Sequence, residues 1–329
     1  MNPRAFNETD WRKGMVFFRY SLPMSGGGIR EGILLRLENS EGGVGWGDAA
    51  PLAGWSNETL DDVIAAICSQ KSEAQAPSAL VCAIEAARCS LQDYGIWSST
   101  RDHLPLNALV DGSFQEMLER AGSALARGCQ CFKIKVAGIS PEDLPSLLRS
   151  ISAMANEQCR FRIDPNRAWE FETTLRVAEM LKEYPVDYLE EPLRDFSKLP
   201  ELIKICPLGI ALDETLRKIS PSELPAFKGA SALVLKPTLM GGFKVCRDFA
   251  EAGDALGMAS VVSACYESGV GIYALGRFSL TLPRSVAAGL DTYSRLEADV
   301  LCERLDLGDF IFHGESLLPD VDISKLHPL

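Results

Sequence analysis

The sequence is poor in histidine and lacks basic tracts, long apolar runs and paired-cysteine motifs. His103, His313 and His327 are its three histidines, and none closes a predicted barrel strand, which argues against a histidine base and a histidine-rich zinc site. Lysine and arginine number 33 against 45 acidic residues, a net charge of −12 with no basic run. A nucleic-acid partner is therefore disfavoured and a small molecule is expected. No uncharged apolar stretch reaches the roughly eighteen residues that a membrane span needs, and the opening segment, Met1 to Gly14, lacks the apolar core of a secretion signal. The expectation is a cytoplasmic chain with no membrane partner.

Ten cysteines are scattered without a C-x-x-C pair, and several, including Cys68, Cys82, Cys129 and Cys131, sit among apolar neighbours like small core side chains. Free thiols in a reducing compartment are the expected state. No G-x-G-x-x-G follows an early strand and no G-x-x-x-x-G-K-[ST] occurs, so nucleotide-binding versions of an alternating fold lose support.

What is present falls into two textures. Residues 14 to 38 carry two β-rich runs, MVFFRYSL and REGILLRLE, joined by PMSGGG, the pattern of an antiparallel hairpin. Its Gly26–Gly28 turn is expected to act as a mobile lid. Residues 57 to 95 read as helices, with apolar residues at helical spacing. Residues 1–104 are thus expected to form a small α+β domain, completed by the returning segment 300–329.

From about residue 105 short apolar runs alternate with helical stretches: LPLNALVDG, CFKIKV, RFRID, VDYLEE, GIALDE, SALVLKP, ASVVSA and RSVAAGL. Lys135, Asp164, Glu190, Asp213 and Lys236 close five successive runs at intervals of 29, 26, 23 and 23 residues, the length of one strand, one helix and two loops. Eight such units predict a closed α/β barrel over residues 105–299, with the strand-closing residues gathered at one mouth.

Three carboxylates from consecutive staves, Asp164, Glu190 and Asp213, repel one another unless a cation lies between them. Hard oxygen ligands without sulfur or imidazole point to Mg²⁺ or Mn²⁺; taken singly, each acid is equally suited to cap a helix or pair with an arginine. Lys133 and Lys135 alternate with Ile134, so both point to one face of their strand, into the barrel interior, or to solvent if the strand were an exposed edge. Ammonium groups about 7 Å apart repel by about 2.4 kcal/mol at an effective dielectric of about 20. That predicts a depressed lysine able to act as a general base. Lys236, across the mouth, is either a second acid/base group or a fixed cation for developing negative charge. The chemistry this set suits is removal of a proton next to a substrate carboxylate, with metal and ammonium stabilising the resulting dianion.

These residues resemble the enolase superfamily, in its muconate-lactonizing-type subgroup. The match reads Lys133-Ile134-Lys135, Asp164-Pro165-Asn166, Leu189-Glu190-Glu191-Pro192, Asp213-Glu214 and Lys236-Pro237. The segment from Gly45-Trp46-Gly47-Asp48 to Thr59, and Gly289-Leu290-Asp291-Thr292, are similar to the dehydratases of that subgroup. The resemblance implies a modified (β/α)7β TIM-type barrel under an N-terminal α+β capping domain, and a small-molecule carboxylate substrate. It further implies Lys135 as the base, Lys236 as the opposed cation, and Lys133 as a holder of the substrate carboxylate that tunes Lys135. Asp164, Glu190 and Asp213 become the ligands of Mg²⁺ (or Mn²⁺), with Glu190 rather than Glu191 in that place, and Asn166 supports them. Arg162 and Ser263 are implied as substrate-binding residues. Two positions depart from the family: Ala264 and Cys265 interrupt a serine-rich loop after Ser263, and Asp48 stands where glutamate is more frequent.

Two relatives of the same chemistry compete. Dipeptide epimerases expect D-x-D where this chain has Asp291-Thr292-Tyr293, while N-acylamino acid racemization would use the same two lysines. A barrel kept only as a scaffold predicts loss of at least one acid or lysine, and all six remain.

Overall fold

The computed structural model describes residues 12–69, 72–91, 101–315 and 317–329. The first two strands, β1 (Met15–Pro23) and β2 (Ile29–Glu38), pair antiparallel as the hairpin pattern predicts, and β3 (Val44–Ala49) continues the sheet. Helices α1 (Leu60–Cys68) and α2 (Ser78–Leu91) follow. Thr59 and Asp62 cap α1 reciprocally, each side chain accepting the other's backbone N–H, so the start of α1 is legible as T-x-x-D.

Strand alternation gives this sheet two buried faces. Phe17, Ile33 and Leu35 pack with α1 and α2, whereas Phe18, Tyr20 and Leu34 join the large core shared with the barrel. The spacing of Gly45-Trp46-Gly47 has a packing cause: α2 lies directly on β3, and a Cβ at either glycine would collide with the carbonyl oxygen of Ala87 or Ala83. The chain end returns to this sheet, with β13 (His327–Pro328) antiparallel to β1; earlier, β12 (Ile311–His313) pairs with β4 (His103–Pro105).

The barrel staves come in chain order: β5 (Ala108–Val110), β6 (Cys131–Lys135), β7 (Arg160–Asp164), β8 (Val186–Glu190), β9 (Ile210–Leu212), β10 (Ala232–Leu235) and β11 (Ala259–Val262). They form one parallel sheet in sequential order. Between them run α3 (Phe114–Ala126), α4 (Leu144–Met154), α5 (Phe171–Leu181), α6 (Leu199–Ile205), α7 (Pro237–Met240), α8 (Phe243–Ala255) and, after β11, α9 (Gly269–Thr281). Residues 285–289 close the ring: Ser285 and Gly289 bridge to Ser260 and Ser263 on one side, and Ala288 bridges to Leu106 on the other. The fold is a (β/α)7β TIM-type barrel with an N-terminal cap.

Two expectations change in detail. The connection after β9 is a 3₁₀ stretch, Pro221–Phe227, rather than an α-helix, because Pro225 has no N–H to give a continuing helix. The eighth run makes isolated bridges to both neighbours instead of a full strand.

Inside the barrel, small residues and one tyrosine, Ala211, Ala232, Val234, Val261 and Tyr188, fill the space behind the mouth. Outward residues such as Phe132, Ile134, Phe161 and Ile163 belong to the large core beneath the helices. No described helix is long and apolar enough to cross a membrane.

Candidate active site at the barrel mouth

Lys135, Asp164 and Glu190 are the last residues of β6, β7 and β8. Asp213, Lys236 and Ser263 immediately follow β9, β10 and β11. Parallel pairing places Lys135 opposite Asp164 and Lys133 opposite Arg162. With four steps around an eight-stave ring between β6 and β10, Lys135 and Lys236 face each other across the mouth. Together with Lys133, Asn166, Ser263 and the cap residues Leu52 and Trp55 they line a cavity of about 290 Å³.

The three acids lie behind the lysines, with Asp164, Glu190 and Asp213 only 2%, 1% and 4% exposed. Lys133 Nζ stands 2.6 Å from Glu190 Oε1 and 3.0 Å from Asp164 Oδ2. Lys135 Nζ donates to Asp164 Oδ2 at 2.9 Å and to Asn166 Oδ1 at 3.0 Å, and the Asn166 N–H returns to Asp164 Oδ1 at 2.9 Å. Lys236 donates to Asp213, and its Nζ lies 5.7 Å from the centre of the Trp55 ring.

Burial lowers the Lys133 pKa, yet Asp164, Glu190 and Asp213 together outweigh burial and hold its ammonium well above the ordinary lysine value. The predicted depression by a like neighbour is therefore reversed at Lys133: three carboxylates act on it more strongly than one ammonium. Lys236 is likewise raised, Asp213 overcoming burial. Asp164 is pushed up by burial but held below the usual carboxylate range by Lys133 and Lys135. Glu190 behaves oppositely. Burial, reinforced by repulsion from Asp164 and Asp213, raises it to about 7 in spite of Lys133. The Lys133–Glu190 contact thus favours the charged lysine, while the site as a whole disfavours one more carboxylate charge.

Two further acids share this environment. Glu191, 1% exposed and at φ +36°, accepts the Asp213 N–H at 2.9 Å and the Thr215 hydroxyl, fixing the start of the Asp213 loop. Glu214 has a buried carboxylate oxygen without a hydrogen-bond partner. Asp164, Glu190 and Asp213 meet the three ammonium groups, and with Glu191 and Glu214 close behind, the site is an all-oxygen donor set with an anionic excess that suits a divalent cation. Among the described residues no group of three acid, cysteine or histidine side chains converges tightly enough to grip an ion as it stands; Asp164, Glu190 and Asp213 are turned to the lysines instead.

Arg162 does not join the lysines. Its guanidinium donates to Asn107 Oδ1 at 2.8 Å and the Ala287 carbonyl at 2.7 Å, and stacks 5.3 Å from the Tyr188 ring. It borders a separate cavity of about 1070 Å³ where the barrel strands begin. Although larger, that cavity lies away from the strand ends that carry the lysine-carboxylate cluster. Arg162 shares a face with Asp164, as alternation requires, but it lies one layer deeper, and its acceptors hold it there. The Gly26–Gly28 turn has left-handed φ at all three positions, and it is not among the residues lining the lysine pocket. Sequence reasoning passed over Leu52, Trp55 and Asn107, which do line it; only the position of Leu52 and Trp55 in the G-W-G-D segment offered a signal.

Residues 116–315 match the family model described as enolase C-terminal domain-like, and the chain belongs to that family. Within it the chain is similar to o-succinylbenzoate synthases. That of Enterobacter sp. (strain 638) is 28% identical over 337 residues, covering 96% of this chain and 99% of the relative. That of Haemophilus influenzae (strain ATCC 51907 / DSM 11121 / KW20 / Rd) is 28% identical over 317 residues, covering 88% and 92%. The fold is shared with muconate cycloisomerase from Pseudomonas fluorescens, at TM-score 0.82 and 20% identity over 95% of this chain and 96% of that one. It is also shared with the L-Ala-D/L-Glu epimerase from Bacillus subtilis, at TM-score 0.76 and 21% identity over 87% and 91%.

Proposed function

We propose that this protein is an o-succinylbenzoate synthase of menaquinone biosynthesis, a lyase that dehydrates 2-succinyl-6-hydroxy-2,4-cyclohexadiene-1-carboxylate to 2-succinylbenzoate. The observation that carries the reading is the placement of Lys135 and Lys236 on opposite sides of one pocket, with buried carboxylates behind them. The near full-length similarity to synthases supports the choice of substrate.

In this reading Lys135 takes the proton from the carbon bearing the carboxylate. The same group, now an ammonium, returns a proton to the departing hydroxyl, so water leaves and the ring becomes aromatic. Lys236, held cationic by Asp213, stabilises the enediolate from the other face, and Lys133 orients the carboxylate. Asp164, Glu190 and Asp213 would hold Mg²⁺, or Mn²⁺. Such an ion supplies Lewis acidity toward the substrate carboxylate. Ser263 offers a hydroxyl on the β11 side of the pocket.

An epimerase acting on dipeptides fits less well, since the Asp291 carboxylate already accepts the Leu109 N–H at 2.8 Å and no second aspartate follows at position 293. The test is 2-succinylbenzoate formation from the cyclohexadiene precursor, with Mg²⁺, with chelator, and with the Lys135→Ala variant. Turnover lost in both controls supports the proposal. A folded, metal-binding protein with no turnover overturns it and directs screening to dipeptides and N-acylamino acids.

A further inference from the structure

Arg30, the second residue of β2, is 6% exposed and among the described residues has no carboxylate partner in hydrogen-bond range; every acceptor it uses there is a backbone carbonyl. Nε donates to Tyr266 O at 2.9 Å, Nη1 to Pro51 O at 2.7 Å and Glu31 O at 3.2 Å, and Nη2 to Ala50 O and to Cys265 O at 3.2 Å. A guanidinium has five N–H donors in a fixed planar fork, and here each donor has an acceptor. Lysine has three donors around one nitrogen and cannot reproduce the fork.

The four distant acceptors fall on two segments. Ala50 and Pro51 lead into the cap loop that carries Leu52 and Trp55 to the lysine pocket. Cys265 and Tyr266 belong to the barrel loop that follows Ser263 and lines the facing wall. Tyr266 is held in the left-handed region at φ +62°, where a non-glycine residue stays only if its surroundings hold it. Its N–H bonds to the Thr292 hydroxyl at 3.3 Å, and the Cys265 N–H bonds to the buried Glu267 carboxylate. The barrel loop is thus fastened from below by Glu267 and Thr292, and from the cap by Arg30.

We propose that Arg30 is a positioning residue that locks the cap loop bearing Trp55 to the barrel loop after Ser263, and so sets the width of the pocket between them. The role rests on the pocket being the active site; the clamp itself does not depend on which reaction occurs there. Arg30 touches none of the lysines or carboxylates of the site, so it acts on substrate fit rather than on proton transfer.

The test uses the full chain labelled with fluorotryptophan, the Trp55 resonance being assigned by Trp55→Phe, in wild type and Arg30→Lys. The expected result is a folded variant whose Trp55 resonance shifts or broadens, with KM raised at least about tenfold and kcat within about threefold, the signature of lost substrate binding rather than lost chemistry. An unchanged Trp55 resonance in folded Arg30→Lys overturns the clamp. An altered resonance with unchanged KM also overturns its role in pocket width. Should Arg30→Lys fail to fold, Thr292→Val loosens the same barrel loop from the opposite side; a Trp55 resonance that does not respond to it overturns the coupling. If the wild type shows no synthase turnover, the synthase reading fails alone, because the Trp55 resonance still reports the clamp.

Discussion

The ammonium of Lys133 lies 2.6 Å from the carboxylate of Glu190, both side chains being withdrawn from water. Their strands lie two apart in the sheet, with Asp164 on the stave between them, so the lysine reaches across one stave and also touches Asp164. In the structure Lys133 is the cation shared by two buried acids: with Lys135 it holds Asp164 below the usual carboxylate range, while burial still raises Glu190.

Lys133→Met removes that cation. Breaking a buried ion pair by deleting one partner costs about 3–5 kcal/mol, and these side chains are too buried for water to screen much of it. The expected outcome is a lower melting temperature without divalent metal, and a larger rise on adding Mg²⁺ than in the wild type, since bound metal stabilises the folded state. Equal Mg²⁺ shifts in both proteins would separate Lys133 from the metal site.

Lys135→Ala removes the proposed base and leaves the Asp164–Asn166 contact in place. General-base catalysis contributes roughly 10²–10⁴-fold, so turnover should fall by that factor while circular dichroism and Mg²⁺ binding stay close to wild type. A loss of less than about tenfold would assign the proton transfer elsewhere.

Asp48 ties the cap to the barrel: it accepts the Tyr20 hydroxyl at 2.9 Å, and the Ser268 N–H and hydroxyl at 2.8 Å each. Burial raises its pKa from 3.8 to about 6 despite these bonds. The stability that comes from its neutral form is fully present below the unfolded value near 3.8, and is lost as pH rises through about 6. At about 1.4 kcal/mol per unit the loss amounts to roughly 3 kcal/mol. Urea unfolding between pH 4 and pH 7 should show this fall in the wild type and a smaller one in Asp48→Asn. Parallel pH profiles would mean that Asp48 titrates normally.

Gly47→Ala sets a methyl group against the Ala83 carbonyl of α2. Overpacking of this kind costs about 1–3 kcal/mol, and no flexible side chain is available to yield. The midpoint of urea unfolding should fall with little change in its slope; an unchanged midpoint would show that α2 can lift from β3 freely.

Much of the site was legible because a parallel barrel converts sequence periodicity into convergence. Each apolar run ends at the same mouth, so Lys135, Asp164, Glu190, Asp213, Lys236 and Ser263 come together from staves spread over more than a hundred residues of chain. Alternation of two also put Lys133 and Arg162 on the inner face. It did not set their depth: Lys133 reaches forward to Glu190 and Asp164, while Arg162 turns back to Asn107 and Ala287.

The order of strands, the inward face of each and the chemical kind of the site follow from the sequence alone, because side-chain period and strand-closing residues are local properties. The charge balance at Lys133 and Glu190, the direction of Arg162 and the role of Arg30 were decided only by the tertiary structure. Arg30 bonds to carbonyls 21 and 236 residues away, and every residue carries a carbonyl. Which ones meet a buried guanidinium depends on how the cap settles on the barrel.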